Sequence, residues 1–333
     1  MRLLVTGGAG FIGVNFIRHV LAQHSEVRIT NLDALTYAGN LASLREVEDD
    51  PRYRFVRGDV CDPALVEQLV QDADAIVHFA AESHVDRSIE GPAEFLRTNV
   101  LGAGVVFEAA RRAEVQRVLH ISTDEVYGSI PAPDSFIEGD PLLPSSPYSA
   151  SKAGADLLAR SYAVTYGFPI TVTRTANNFG SFHYPEKVIP LFITNLIDDG
   201  TVPLYGDGRN VRDWTYVEDN AAAQWLVLTE GTPGEIYNVG AGNELSNREL
   251  TDAILARFGY QGEEAEERIQ RVADRPGHDL RYSVDTHRVR ELGWAPALSF
   301  EDALDATIDW YRRNEWWWRP LKEQGASTRR GRA

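Results

Sequence analysis

Residues 2–13, RLLVTGGAGFIG, carry an apolar run straight into glycines, and an amphipathic segment, NFIRHVLAQH, follows at once. A change from strand-like to helix-like periodicity across a glycine turn predicts strand, tight turn, helix. The unit recurs. VRITNLD, YRFVRGD, AIVHFAA and RVLHIST are further short apolar runs closing on a polar or small residue, separated by helical stretches such as PALVEQLVQ and NVLGAGVVFEAARRA. Such alternation predicts an α/β fold, a doubly wound parallel sheet with helices on both faces, and it places ligands outside the carboxyl ends of the strands. After residue 176 the loops become rich in Gly, Pro and charge (NNFGSFHYPEK, YGDGRNVRDW, ADRPGHD), which predicts a smaller C-terminal α/β substrate lobe. The boundaries expected are 1–176 for the sheet domain, with a return to it around 213–240, then 177–212 and 241–322 for the lobe. EQGASTRRGRA, 323–333, is basic and lacks apolar anchors, and reads as a disordered tail.

Composition narrows the partners. Thirty-three basic residues against 49 acidic ones give a net charge of −16, a field that repels nucleic acid and anionic membranes. An anionic ligand must therefore be drawn in by a few placed arginines or lysines. A single cysteine, Cys61, rules out an internal disulfide and a cysteine-based zinc cluster. No histidine spacing suggests a metal, no apolar run of membrane-spanning length occurs, and no export signal opens the chain, so a cytoplasmic protein is expected.

Gly7, Gly10 and Gly13 make a G-x-x-G-x-x-G pattern between the first strand and its helix. The first allows the tight turn, the second a close pyrophosphate approach, and the third the packing of the helix. Asp33, at the end of the second predicted strand, can accept hydrogen bonds from an adenosine ribose and repels a 2′-phosphate, which favours NAD over NADP. Asp59, ending the third strand, is a candidate acceptor for the adenine amino group or else an N-cap for the next helix, a role for which Asp62 competes.

Tyr148 and Lys152, in SPYSASKAG, are spaced i, i+4 on a helix expected to begin near Pro147, so both point to one face. A lysine ammonium beside a phenol lowers the tyrosine pKa and makes it a base for a sugar hydroxyl. Thr123 is placed to share the hydrogen bond to that hydroxyl.

TGGAGFIG, AAESHVDRSI at 80–89, STDEVYG at 122–128, SPYSASKA at 146–153, NNFGSFHYPEKVIP at 177–190, YGDGRNVRDW at 205–214 and DRPGHDLRY at 274–282 together carry a resemblance. The chain resembles the extended short-chain dehydrogenase/reductases, and within them the dTDP-glucose 4,6-dehydratases, over its length to about Lys322. The fold this implies is a Rossmann-type sheet. The activity it implies is transient oxidation at sugar carbon 4, elimination of water across carbons 5 and 6, and return of hydride to carbon 6, with NAD tightly bound and regenerated. By resemblance Glu125 is the base at carbon 5 and Asp124, protonated, the acid for the departing hydroxyl. Neighbouring residues of one extended strand point to opposite faces, so both carboxyl groups enter one pocket only where the backbone turns.

The resemblance also implies cofactor contacts at Phe11, Ile12, Leu35, Thr36, Val60, Phe79, Ala80, Ala81, Ser83, Thr98 and Ser122. On the nucleotide-sugar side it implies Lys187, Arg212 and Arg275 as cations for the diphosphate, Asn177 and Asn247 as hydrogen-bond donors, and Tyr205 as the face for thymine. His84, Glu186, Pro203 and His278 complete the expected substrate residues, and the wording FGSFHYPEK departs from the family's more frequent one. Helices spanning 99–112 and 147–166 correspond to a pair that makes a four-helix dimer contact in related enzymes, so a homodimer is expected. A nucleotide-sugar 4-epimerase or a decarboxylase is the other enzyme reading, as is a dehydratase of another nucleotide sugar. An epimerase needs Tyr148 and Lys152 but has no use for Asp124 and Glu125; a non-catalytic dinucleotide sensor has no use for the Thr123, Tyr148, Lys152 set.

Overall fold

The computed structural model describes residues 1–274 and 277–330. Among the described residues, seven strands form one parallel sheet: β1 (Arg2–Thr6), β2 (Arg28–Asp33), β3 (Tyr53–Arg57), β4 (Ala75–His78), β5 (Arg117–Thr123), β6 (Ile170–Thr175) and β10 (Ile236–Val239). Their order is β10-β6-β5-β4-β1-β2-β3. The chain leaves β1 toward β3 on one side and then returns to lay β4 on the other, so the connections at the carboxyl ends of β1 and β4 diverge and leave a crevice. β4 and β6 are buried at every position, which is why they read as continuous apolar or β-branched runs rather than alternating ones.

Helices α1 (Phe11–Gln23) and α8 (Val217–Glu230) pack together on one face. On the other lie α2 (Pro63–Val70), α5 (Ala103–Arg112) and α6 (Pro147–Tyr166), in a core with Leu4, Ile76, Phe107 and Ile170. Short helices α3 (Val85–Glu90) and α4 (Pro92–Phe95) and a π-helical turn, Leu96–Gly102, lead into α5, so that helix begins its approach before the expected residue 99. Helix α6 starts where its sequence says it should. Ser146 and Ser149 form a reciprocal capping box, Pro147 follows the cap, and Gly167 ends the helix in the left-handed region (φ +62°).

The second lobe is built from small sheets: β7 (Asn177–Phe179) beside β9 (Val211–Tyr216), which pairs antiparallel with β11 (Glu244–Ser246), and β8 (Val202–Tyr205) beside β12 (Ile269–Val272). Around them lie α7 (Val188–Ile197), α9 (Asn247–Arg257), α10 (Gly262–Glu267) and α12 (Phe300–Arg313), with α13 (Glu315–Arg330) packed on α12, while α11 (His287–Glu291) packs against β10. One apolar cluster runs from Leu3 and Phe16 through Phe192 and Leu250 to Trp317 and Trp318, so this face of the sheet and the lobe share a core. Segment 323–333, expected as a disordered tail, instead continues α13 as far as Arg330. Upstream anchors explain it: Trp318 is buried, and Arg319 and Lys322 both pair with Asp198. Residues 331–333 lie outside the described residues.

Candidate active site

A cavity of about 410 Å³ lies at the carboxyl ends of β1, β2, β4, β5 and β6. Its floor is the glycine turn. A Cβ at Gly7 (φ +72°) would stand 2.6 Å from the Ala80 amide nitrogen, and one at Gly13 would stand 2.4 Å from the Gly7 carbonyl oxygen. At Gly10, by contrast, the nearest such contact is 3.3 Å and the residue lines the cavity. Gly10 brings no side chain to cap α1, so the first amide groups of that helix are left for a ligand, an arrangement suited to a diphosphate.

Asp33 Oδ2 accepts from the Ala9 N–H at 2.9 Å and Oδ1 from the Leu35 N–H at 2.7 Å, which fixes the carboxylate at the cavity edge with lone pairs to spare. Asp62, not Asp59, caps α2, accepting from Ala64 and Leu65. Asp59 lines the cavity, paired with Arg97 at 2.7 Å. Phe11, Ile12, Thr36, Val60, Phe79, Ala80, Ala81, Ser83, Thr98 and Ser122 line it too. Leu35 does not; its side chain packs into the apolar core, and its contribution is the N–H given to Asp33.

β5 delivers the reacting end. Thr123 closes the strand, its hydroxyl accepts the Glu125 N–H at 3.3 Å, and the chain enters a single 3₁₀ turn, Asp124–Tyr127. That turn is what brings two adjacent carboxyl groups to one cavity, with Asp124 and Glu125 both on its wall. Asp124 is only 3% exposed; its Oδ1 accepts from the Thr123 hydroxyl at 3.3 Å and its Oδ2 has no hydrogen-bond partner. Burial first, and the neighbouring Glu125 charge second, hold the Asp124 carboxyl well above the usual carboxylate range, with Arg212 opposing.

Tyr148 and Lys152 sit one turn apart on α6 and line the same wall. The Tyr148 N–H donates to Ser88 Oγ at 3.1 Å, which ties the head of α6 to α3. The expected lowering of the phenol by the lysine is not what this geometry gives. Burial and then the Glu125 charge push the Tyr148 phenol up, while Lys152 Nζ donates to the Ile121 carbonyl at 2.6 Å and burial pushes the amine down to about 8. The reason is desolvation, the largest effect on both groups, which disfavours the charged form of each and so raises the phenol and lowers the amine.

Of the expected substrate residues, Asn177, Glu186 and Lys187 line the cavity, and His84 Nε2 stands 3.5 Å from Glu186 Oε1. His84, Pro203, Tyr205, Arg212, Asn247 and His278 fall outside its lining, and Arg212 and Asn247 belong to a neighbouring hydrogen-bonded group on the lobe. There Asn247 donates its N–H to Asn210, and Asn210 and Arg212 both donate to the Asp279 carbonyl. Arg212 also stacks over Tyr282 at 4.0 Å, and its charge reaches Asp124, so the two groups are continuous. His278 pairs with Asp274 at 2.6 Å. Arg275 lies outside the described residues.

Sequence reasoning passed over several residues. Arg87 lies 3.6 Å over the Tyr37 ring and pairs with Glu186 at 3.4 Å, while Tyr37 meets Tyr184 edge-on at 5.9 Å, so a strap joins the β2 loop, α3 and the lobe. His183 stacks on Phe11 at 4.0 Å, and Trp317, from α13, donates to Ser43 Oγ at 2.9 Å as it lines the cavity. Arg87 stood in the stretch AAESHVDRSI; Trp317 carried no signal.

A doubly wound sheet whose switch-point crevice holds a glycine turn and, across it, a Tyr-Lys pair is the architecture of the short-chain dehydrogenase/reductases. Comparison narrows this: the chain belongs to the family described as GDP-mannose 4,6 dehydratase, whose model matches residues 4–307. It is 52% identical to a dTDP-glucose 4,6-dehydratase of Streptomyces antibioticus, over 98% of this chain and 97% of that one. It is 54% identical to the low-salt glycan biosynthesis protein Agl12 of Haloferax volcanii, over 93% and 98%. The crystal structure of DesIV, a dTDP-glucose 4,6-dehydratase from Streptomyces venezuelae with NAD and TYD bound, superposes with a TM-score of 0.92 at 53% identity, covering 96% of this chain and all of that one.

Proposed function

We propose that the protein converts dTDP-glucose to dTDP-4-keto-6-deoxyglucose and water, with NAD held throughout the turnover. The observation that carries this reading is Asp124: a carboxyl buried, raised toward its protonated form, and set beside Glu125 in the cavity that Tyr148 and Lys152 share. Glycines that tolerate no Cβ, an uncapped α1 N-terminus and Asp33 suit the dinucleotide. NAD, when bound, supplies the acceptor for the carbon 4 hydride and the donor for carbon 6.

The side chains divide the remaining work. Tyr148 removes the carbon 4 hydroxyl proton, with Thr123 sharing that hydrogen bond and Lys152 supplying positive charge beneath. The carbon 4 ketone acidifies carbon 5, from which Glu125 takes a proton. Asp124 gives its proton to the carbon 6 hydroxyl, so that water leaves rather than hydroxide. One carboxyl must be ionised and the other protonated at once, and a shared, partly dry wall drives two such groups apart in that way. An epimerase would leave Asp124 idle. Lys187, Arg212, Asn177 and Asn247 are the proposed diphosphate ligands, Tyr205 the thymine face, with Pro203, His84, Glu186 and His278 around the nucleotide sugar. The substrate lobe is assigned to 177–212 and 241–322.

A homodimer and a cytoplasmic location complete the proposal. Among the described residues no helix is long and apolar enough to cross a membrane. The dimer reading is supported by a groove of about 620 Å³ between α2, α5 and α6, lined by Leu96, Val100, Leu101, Val105 and Leu158, with Leu96 and Leu101 more than half exposed.

The test is to incubate the purified protein with dTDP-glucose and no added NAD, following substrate mass and the alkali-induced absorbance of a 4-keto sugar. Loss of one water without net NADH is expected. In Glu125→Gln, oxidation at carbon 4 should continue while water loss stalls. Unchanged mass with dTDP-glucose, joined to turnover of a UDP-sugar by inversion at carbon 4, would replace the dehydratase by an epimerase.

A further inference from the structure

Tyr148, Lys152 and Asp156 are spaced i, i+4, i+8, so α6 carries all three on one stripe, and all three are buried. Asp156 is 2% exposed and has no part in the chemistry above. Its Oδ2 accepts from Arg174 Nε, on β6, at 2.8 Å, and its Oδ1 stands 3.6 Å from His120 Nε2, on β5. His120 adjoins Ile121, whose carbonyl takes the Lys152 ammonium. The two turns of α6 therefore dock on successive residues of one strand, lysine on Ile121 and carboxylate on His120.

Buried polar atoms collect here. His120 Nδ1 and Nε2, His78 Nε2, Ser122 Oγ and Asp156 Oδ1 all lack a hydrogen-bond partner, although most buried polar atoms find one. His78 stacks on His120 at 5.5 Å and its Nδ1 is tied to Thr6 Oγ1 at 2.7 Å. So deeply buried a setting is hostile to an ammonium ion, and an anion fixed one helical turn away is the natural remedy.

We propose that Asp156, clamped by Arg174 and faced by His120, is a positioning residue for the reaction: its carboxylate keeps the Lys152 ammonium charged and docked beside Tyr148. The inference rests on the reading of Tyr148 and Lys152 given above. The groups that face Lys152 and its neighbours are His78 on β4, His120 on β5, Arg174 on β6, Asp124 and Glu125 after β5, and Tyr148 on α6. Burial drives the lysine down, and Asp156 is the group that works against burial, while Lys152 in turn disfavours a proton on His120 and His78. Burial first, with the Lys152 charge adding to it, disfavours the protonated form of both histidines, which leaves the Asp156–Arg174 ion pair as the fixed charges around Lys152.

The chain contains three lysines, Lys152, Lys187 and Lys322, so the charge of Lys152 can be read directly. Lysine labelled with carbon-13 at the ε position is incorporated into the full-length protein, the Lys152 signal is assigned by its absence in Lys152→Arg, and its titration is followed. The midpoint in Asp156→Asn should fall by about one pH unit or more below that of the wild type, and the alkaline limb of kcat should move acidward with it while KM holds. Asp156→Glu, which keeps the charge, should restore most of the shift. Should Asp156→Asn fail to fold, His120→Leu, which strips Asp156 of its facing nitrogen, should move the midpoint the same way by less. A Lys152 midpoint unmoved in whichever variant folds overturns the proposal. The labelled titration needs no turnover, so inactivity toward dTDP-glucose would count against the function alone.

Discussion

Asp124 is a carboxyl whose burial favours its protonated form, and the cost of that placement can be measured. Its carboxyl is raised by burial and by Glu125. Below about pH 4 the folded and unfolded chains both hold this proton; above it the unfolded chain releases the proton while the folded one keeps it, so the group subtracts stability as pH rises. Asp124→Asn removes the titration. The variant should melt above the wild type at pH 7, the gap closing toward pH 4, while water loss slows about 10²- to 10⁴-fold. A melting difference that ignored pH, or near-normal dehydration, would deny Asp124 its role as the acid. At this scale Tyr148 and Lys152 stood out by their i, i+4 spacing and Thr123 by its place at a strand end, whereas Asp124 and Glu125 took their proposed roles from the family resemblance. The partnership of Asp156 with His120 was not legible, since the two stand 36 positions apart and only the fold returns α6 to β5.

Elements place these residues by excluding side chains as much as by using them. Helix α1 can begin against its own turn only because Gly13 has no Cβ, which would otherwise meet the Gly7 oxygen at 2.4 Å and the Gly8 Cα at 2.7 Å. Both obstacles are backbone and cannot swing aside. Gly13→Ala should weaken dinucleotide binding about tenfold or more, the scale of 1–3 kcal/mol of overpacking, and the protein should purify with less bound cofactor. Gly139→Ala, where a Cβ meets nothing within 4 Å, should bind as the wild type does. Equal cofactor titrations for the two variants would remove the glycine turn from the binding site. The turn, the strand before it, the helix after it and the start of α6 near Pro147 could all be read from local pattern. The strap of Arg87, Tyr37 and Glu186 could not, because no periodicity records which loops meet.

For the whole molecule the α5 and α6 face is the one proposed to pair two copies. Leu101 is 58% exposed in a groove whose charged residues Glu108 and Arg112 already pair with each other at 2.7 Å, which leaves its apolar floor as the surface for two-fold self-pairing. Leu101→Glu should convert a dimer to a monomer in sedimentation velocity, with the fold intact by circular dichroism. A wild type already monomeric at micromolar concentration would end the dimer proposal. The parallel sheet was visible in the alternating runs; the strand order and the course of α13 were not, because strand pairing and the anchoring at Trp318 and Asp198 are tertiary.

That last helix also sets an order of events. Trp317 reaches back 274 residues to Ser43 and forms part of the wall that the glycine turn begins. A chain emerging from the ribosome therefore exposes its dinucleotide turn early but cannot close the cavity around it until α13 has been made. Cofactor capture becomes a late event of synthesis, and a chain broken off before α13 should leave the ribosome with an open, leaking site.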